Sequence, residues 1–319
     1  MRIRPWLLAA ALWSLGSAWA GPGGGVPAGS FLIFPYFDSG YGELSLLTVT
    51  NTLSGPAGTV KLLYVYIDGD DWNEFNRTET LTPADTLCVI AANHNPAFAR
   101  GWLWVQALDP DTDRPIDFDY LMGDLLHVGG NFTRSFSTEA LTFRGLSDEG
   151  GAPLGRSLRG HAFADQNGNG AADFDGLEYE RWPDVLALSS FVEQRNGVED
   201  WLVLLAPLPG SFRVDVRLLI YSNDERPYSA QLSFRCWRRL RLLDLNAITA
   251  RLNGTAAELP TGWVRLEGDS AVNDYTGTRL SRAPILGMVV RTGGPSIWSS
   301  HLLHGRGERS GLTLPPTAR

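Results

Sequence analysis

Arg213-Val214-Asp215-Val216-Arg217-Leu218-Leu219-Ile220-Tyr221 alternates apolar and polar side chains over most of its length. That period of two marks a strand with one buried face. An earlier stretch, Thr59-Val60-Lys61-Leu62-Leu63-Tyr64-Val65-Tyr66, resembles Val214 to Tyr221 at an offset of 155 residues. Two further landmarks recur in the same order. Gly101-Trp102-Leu103-Trp104-Val105 matches Gly262-Trp263-Val264-Arg265-Leu266 at an offset of 161, and Arg114-Pro115-Ile116 matches Ala283-Pro284-Ile285 at 169. Slow drift in the spacing of three ordered landmarks points to an internal duplication.

Strand signals fill both copies. Phe31 to Phe37 is apolar and contains Pro35, which suits an edge strand because proline cannot donate to a ladder. Leu44 to Thr52, Thr59 to Ile67 and Trp102 to Leu108 are rich in β-formers. Asp109 to Asp113 reads as a turn, with Ile116 to Leu121 returning as a hairpin partner. In the second copy, Tyr228 to Trp237, Trp263 to Leu266 and Ile285 to Arg291 read as strands, and Leu240 to Leu252 as a strand or short helix. Pro183 suits a first helical turn, so a short helix is expected there. Between the copies, 145–176 is rich in Gly, Asp and Asn and reads as connection.

The fold expected is therefore all-β: two tandem antiparallel β-sandwiches of immunoglobulin-like character, 30–144 and 183–300, joined by a loop-rich connection at 145–182. A loose leader, 21–29, precedes them and a tail, 301–319, follows.

Met1 to Ala20 reads as a removable signal peptide. Arg2 and Arg4 give a positive start, Trp6 to Leu15 an apolar core too short to span a bilayer, and Ala18-Trp19-Ala20 a small-residue cleavage site. The expected address is secreted, periplasmic or extracellular. No later stretch reaches the roughly 18 apolar residues of a membrane helix, so no membrane span is expected. Without the leader the chain keeps 25 basic against 35 acidic residues, a net −10. Such a surface repels nucleic acid and attracts cations. Cys88 and Cys236 could pair outside the cytoplasm or lie as two separately buried thiols; no Cys-x-x-Cys zinc spacing exists.

One motif carries chemistry. Asp165-Gln166-Asn167-Gly168-Asn169-Gly170-Ala171-Ala172-Asp173 has the form D-x-N-x-N-G-x-x-D. It resembles the calcium loops of EF-hand, dockerin and thrombospondin type 3 proteins. Calcium takes about six to eight hard oxygens. The resemblance implies ligands from Asp165, Asn167 and Asn169, the Ala171 carbonyl, and Asp173 directly or through water. Gly176 stands where an EF-hand places a bidentate Glu, so Asp175 or Glu178 must substitute. A single structural calcium site fits better than a paired sensor. The acidic turns Asp68 to Asp71 and Asp109 to Asp113 read as turns stabilised by their own side chains.

His301 and His304 have a metal-like spacing without a third ligand, and no G-x-S-x-G, Walker or dinucleotide fingerprint occurs. Trp72 and Trp298 sit in polar loops, where a Trp either folds over the sandwich edge or, beside calcium, stacks on a sugar ring. The sequons at Asn76, Asn131 and Asn253 matter only for a eukaryotic secretory route. Phe34-Pro35-Tyr36-Phe37 and Thr48-Val49-Thr50-Asn51-Thr52 resemble segments of uncharacterised exported bacterial β-sandwich proteins. The function expected is a non-catalytic structural or adhesion-type protein meeting a protein or glycan surface. A carbohydrate-binding pair and a hydrolase using two carboxylates are the alternatives.

Overall fold

The computed structural model describes residues 27–130, 134–149, 153–183, 185–192, 198–222, 227–245, 261–293, 297–304 and 312–314. The signal-peptide reading, the Asn131 and Asn253 sequons and most of Leu240 to Leu252 lie outside these residues. The first copy comprises β1 (Phe31–Asp38), β2 (Leu44–Asn51), β3 (Val60–Asp68), β4 (Glu74–Leu81), β5 (Thr86–Ile90), the one-turn helix α1 (Ala91–His94), β6 (Arg100–Leu108), β7 (Leu121–Gly129), β8 (Arg134–Glu139) and β9 (Leu141–Phe143). A short strand, β10 (Ala172–Phe174), lies in the connection. The second copy comprises β11 (Val185–Val192), β12 (Glu199–Leu205), β13 (Phe212–Ser222), β14 (Pro227–Arg235), β15 (Trp237–Arg241), β16 (Thr261–Asn273), β17 (Arg279–Ser281), β18 (Leu286–Thr292), β19 (Trp298–His301) and β20 (Leu303–His304), and β21 (Leu312–Leu314) follows.

All these strands pair antiparallel, and the strand orders match between copies. The first copy has sheets β4-β3-β6-β1-β9 and β5-β2-β7-β8; the second has β14-β13-β16-β11-β20 and β15-β12-β18-β19. The details repeat as well. β1 shifts register between Phe34 and Phe37, β11 between Leu188 and Phe191. Gly101 lies opposite Phe37, Gly262 opposite Phe191. A Cβ on Gly101 would stand 2.0 Å from the Ile67 carbonyl, and one on Gly262 1.9 Å from that of Tyr221. Both glycines are thus required by close backbone approach. Ala140 N–H donates to the Gly123 carbonyl at 2.9 Å, Leu302 N–H to that of Gly287 at 3.1 Å. Ile67 pairs with Trp102 and Tyr221 with Trp263. The counterpart of Tyr221 is therefore Ile67, at an offset of 154. The composition match at 155 is one residue out of register, which would exchange the two faces of the strand.

β1 is not an edge strand. It lies between β6 and β9, and Pro35 falls inside the bulge, where a missing N–H breaks no ladder bond. Phe31 to Phe37 is buried throughout. Leu32 and Phe34 pack on β7 at Gly123, whose added Cβ would meet Phe34 Cζ at 2.7 Å. Pro35 and Tyr36 face the second copy: Trp237 Nε1–H donates to the Pro35 carbonyl at 2.9 Å and Arg239 Nη1 to Tyr36 Oη at 3.3 Å. One core cluster runs through both copies. The four sheets consequently form a propeller-like ring rather than two clearly separate immunoglobulin-like sandwiches.

Three local expectations are corrected. Val185–Val192 after Pro183 is strand β11, because its apolar side chains complete the ladder with β16. Ile116 to Tyr120 forms only isolated bridges and turns, and the ladder resumes at Leu121. The cysteines are both free, Cys88 exposed on β5 and Cys236 buried at the junction, where its thiol donates to the Asp68 carbonyl at 3.3 Å. Among the described residues no helix is long and apolar enough to cross a membrane.

Candidate functional site

The connection after β9 is pinned at its two ends. Leu146 N–H donates to the Glu178 carbonyl at 2.8 Å and Glu180 N–H to the Arg144 carbonyl at 3.0 Å. Two aromatic residues drive it onto the outer face of the first sheet. Phe174 lies 5.1 Å from Phe31, 4.9 Å from Phe143 and 5.3 Å from Trp182. Tyr179 lies 5.5 Å from Phe31 and its hydroxyl accepts from Gln106 Nε2 at 3.0 Å. Burying a ring of this size contributes about 1.5–3 kcal/mol. β10 pairs with β21, setting Asp173 opposite Thr313.

The nine-residue motif closes on itself above these anchors. Asp165 accepts from Gly168 N–H through Oδ1 at 2.7 Å and from Gly170 N–H through Oδ2 at 3.0 Å. Asn167 Oδ1 accepts from Asn169 N–H at 2.9 Å, and Asn169 Oδ1 from Ala171 N–H at 2.7 Å. Both side-chain amides then donate to one oxygen: Asn167 Nδ2 reaches Asp173 Oδ2 at 2.6 Å, Asn169 Nδ2 at 3.0 Å. Gly168 and Gly170 take positive φ, 73° and 72°, and permit the tight winding. Asp173 is only 5% exposed, and its Oδ1 is buried with no hydrogen-bond partner. A buried carboxylate oxygen left without a donor or cation is costly.

Glu178 organises the loop from beneath. Its Oε1 accepts from Gln166 N–H at 2.7 Å and Asn167 N–H at 3.3 Å, and Oε2 from Asp173 N–H at 3.2 Å. Burial, joined by the Asp173 charge, pushes its carboxyl up to about 7. Asp175 is turned elsewhere: its Oδ1 accepts from Leu177 and Glu178 N–H at 2.7 and 3.0 Å. The side chains of Asn167, Asn169 and Asp173 are therefore brought together. Asp165 and Glu178 join them through backbone N–H groups of the loop, Ala171 joins by its own N–H, and Asp175 caps the following turn. Sequence reasoning passed over Phe174 and Tyr179; aromatic residues in a polar stretch are the signal that would have marked an anchored loop.

Among the described residues no group of three or more His, Cys, Asp or Glu could hold a metal. The loop's side chains are carboxylates and amides, whose hard oxygens suit calcium rather than zinc. The other acidic turns already hold protein cations. Arg100 Nη2 donates to Asp70 at 3.1 Å, Lys61 Nζ to Asp113 at 2.7 Å, and Arg159 to Asp111. Trp72 is half-buried with its ring 5.6 Å from Trp102, whereas Trp298 is exposed with the Arg291 guanidinium 5.4 Å from its ring centre.

A second acidic group supports the connection. Ser30 Oγ donates to Asp119 Oδ1 at 2.7 Å and accepts from Phe118 N–H at 2.6 Å, while Gly145 N–H donates to Asp119 at 2.8 Å. Burial and the neighbouring Asp119 raise the Asp117 carboxyl to about 6.

No family model matches this chain, and no curated protein matches it. The crystal structure of Thermotoga maritima 1070 is similar at 12% identity and a TM-score of 0.28, covering 40% of this chain and 98% of that one. The cryo-EM structure of Broad Bean Stain Virus is similar at 10% identity and a TM-score of 0.19, covering 84% and 80%. Likeness at this level carries no functional argument.

Proposed function

We propose that this is an exported, non-catalytic structural or adhesion-type protein, built by duplication, whose connecting loop binds one calcium ion. The observation that carries the calcium reading is the buried, unpartnered Oδ1 of Asp173, whose carboxylate is where the Asn167 and Asn169 side chains meet. A cation there gives that oxygen its missing partner, with carboxylate, amide and carbonyl oxygens as the ligands and Glu178 holding the backbone around it. Turning the two amides to present oxygen gives up their present bonds to Asp173, which the ion replaces. The role follows from position: the loop sits directly above Phe174 and Tyr179, so ordering it holds the connection on the first sheet. The matching strand orders, bulges and glycine pairs support the duplication.

Calcium at about one hundred times its dissociation constant stabilises a folded chain by about 2.7 kcal/mol. A thermal melt with calcium is expected to shift upward, and Asp165→Ala to abolish the shift. A melting curve indifferent to calcium in the wild-type chain overturns the reading.

A further inference from the structure

The motif contains two Asn-Gly steps, Asn167-Gly168 and Asn169-Gly170, and all four residues are exposed. In deamidation the backbone nitrogen after an asparagine attacks the side-chain Cγ. A new N–Cγ bond forms, the Cγ–Nδ2 bond breaks, and ammonia leaves with the proton the nitrogen gave up. Water then opens the succinimide ring to Asp or to its β-linked isomer. Glycine favours the step because no Cβ obstructs the approach.

We infer that Asn167 and Asn169 are modification sites at which the loop converts its own amides to carboxylates, with Asp165 as the base. Hydrogen bonds fix the nitrogens that lose a proton and the amide oxygens that gain charge. The two nitrogens that must lose a proton, Gly168 N and Gly170 N, both donate to the Asp165 carboxylate, at 2.7 and 3.0 Å. The carbonyl oxygens that gain charge on attack, Asn167 Oδ1 and Asn169 Oδ1, each receive a backbone N–H, from Asn169 at 2.9 Å and Ala171 at 2.7 Å. Donors aimed at a developing oxyanion favour the attack. Both amides are oriented by donating to Asp173 Oδ2, and because the four residues are exposed, solvent returns the proton taken by Asp165 to the departing nitrogen as ammonia leaves. The direct product reads D-x-D-x-D-G-x-x-D, with two more negative charges among the cation ligands. The consequence for calcium rests on the reading above; the modification does not.

The full chain carries its own references, Asn196-Gly197 and Asn253-Gly254. Incubation at neutral pH with a chelator, followed by peptide mapping that separates Asp from its isomer, is expected to show conversion at 167 and 169. Asp165→Asn should slow both sites together by about tenfold or more, as loss of a general base does, and leave 196 and 253 unchanged. Urea-unfolded chain gives the rate each site has without the loop's hydrogen bonds and guards against a variant that merely unfolds. Saturating calcium should slow 167 and 169 alone, and Asn167→Asp should bind calcium more tightly by titration calorimetry. Amides that persist at 167 and 169 while 196 and 253 convert overturn the proposal, as does an Asp165→Asn variant with unaltered rates. Conversion without any calorimetric signal leaves the modification standing and removes the calcium reading instead.

Discussion

Sheets β4-β3-β6-β1-β9 and β14-β13-β16-β11-β20 share strand order, bulge and glycine placement, yet their outward faces differ. In the first, Leu63, Trp104 and Gln106 are buried, and Gln106 bonds Tyr179 of the connection at 3.0 Å. In register with them, the second carries Arg217, Arg265 and Glu267. There the guanidiniums of Arg217 and Arg265 each reach Glu267 at 2.6 Å in solvent. Trp102 is fully buried, while its counterpart Trp263 is 41% exposed and stacks on Tyr221 at 4.0 Å. β1 is buried on both faces; β11 alternates, with Leu186 and Leu188 inward and Val185 and Ala187 half-buried. One ladder thus supports either a wet face or a dry one, and the covering segment decides which side chains it carries.

The largest contrast is expected where the cover is anchored. Phe174→Ala should cost about 3–5 kcal/mol in urea unfolding, because it empties the space over Phe31. Arg265→Ala, on the open counterpart face, should cost less than about 1 kcal/mol. Equal losses would mean the connection does not hold the first sheet. The shared glycines should behave alike: Gly101→Ala and Gly262→Ala each force a Cβ against a carbonyl and should cost about 1–3 kcal/mol or more. A clear difference between them would show that the two junctions are not equivalent.

A smaller asymmetry concerns pH. Asp117 lies beneath the connection, whereas Leu286 stands at the position 169 residues on in the second copy. The folded carboxyl titrates near 6, above its ordinary value of 3.8. The folded chain therefore binds more protons than the unfolded one between these values, and stability falls as pH rises from about 4 through 6. The effect should be on the order of 1 kcal/mol, since Asp117 is only partly buried and screened. Asp117→Asn should flatten that slope; an unchanged pH profile of the urea midpoint would remove Asp117 as its source.

Strands with β-branched and aromatic runs were legible because periodicity and composition agree there, as in Val214 to Tyr221. The edge reading of Phe31 to Phe37 failed because a bulge, which leaves no composition signal, absorbs Pro35. The helix expected at Pro183 failed because proline before a strand looks the same as proline opening a helix, and only pairing with β16 distinguishes them. Separate sandwiches were expected because sequence shows each copy's own pattern, not that Trp237 reaches across to Pro35. In the site, Asp165, Asn167, Asn169 and Asp173 were visible from spacing. The grip of Glu178 on three backbone N–H groups was not, since it depends on how the chain returns after Asp175.

The indole hydrogen bond from Trp237 to the Pro35 carbonyl has a consequence for assembly. Made as a separate polypeptide, each copy would expose its side of the junction to water: one the Pro35 carbonyl and the Tyr36 ring, the other the Trp237 indole and Arg239. Mixed together, the two polypeptides each supply what the other lacks, so they are expected to associate through this seam.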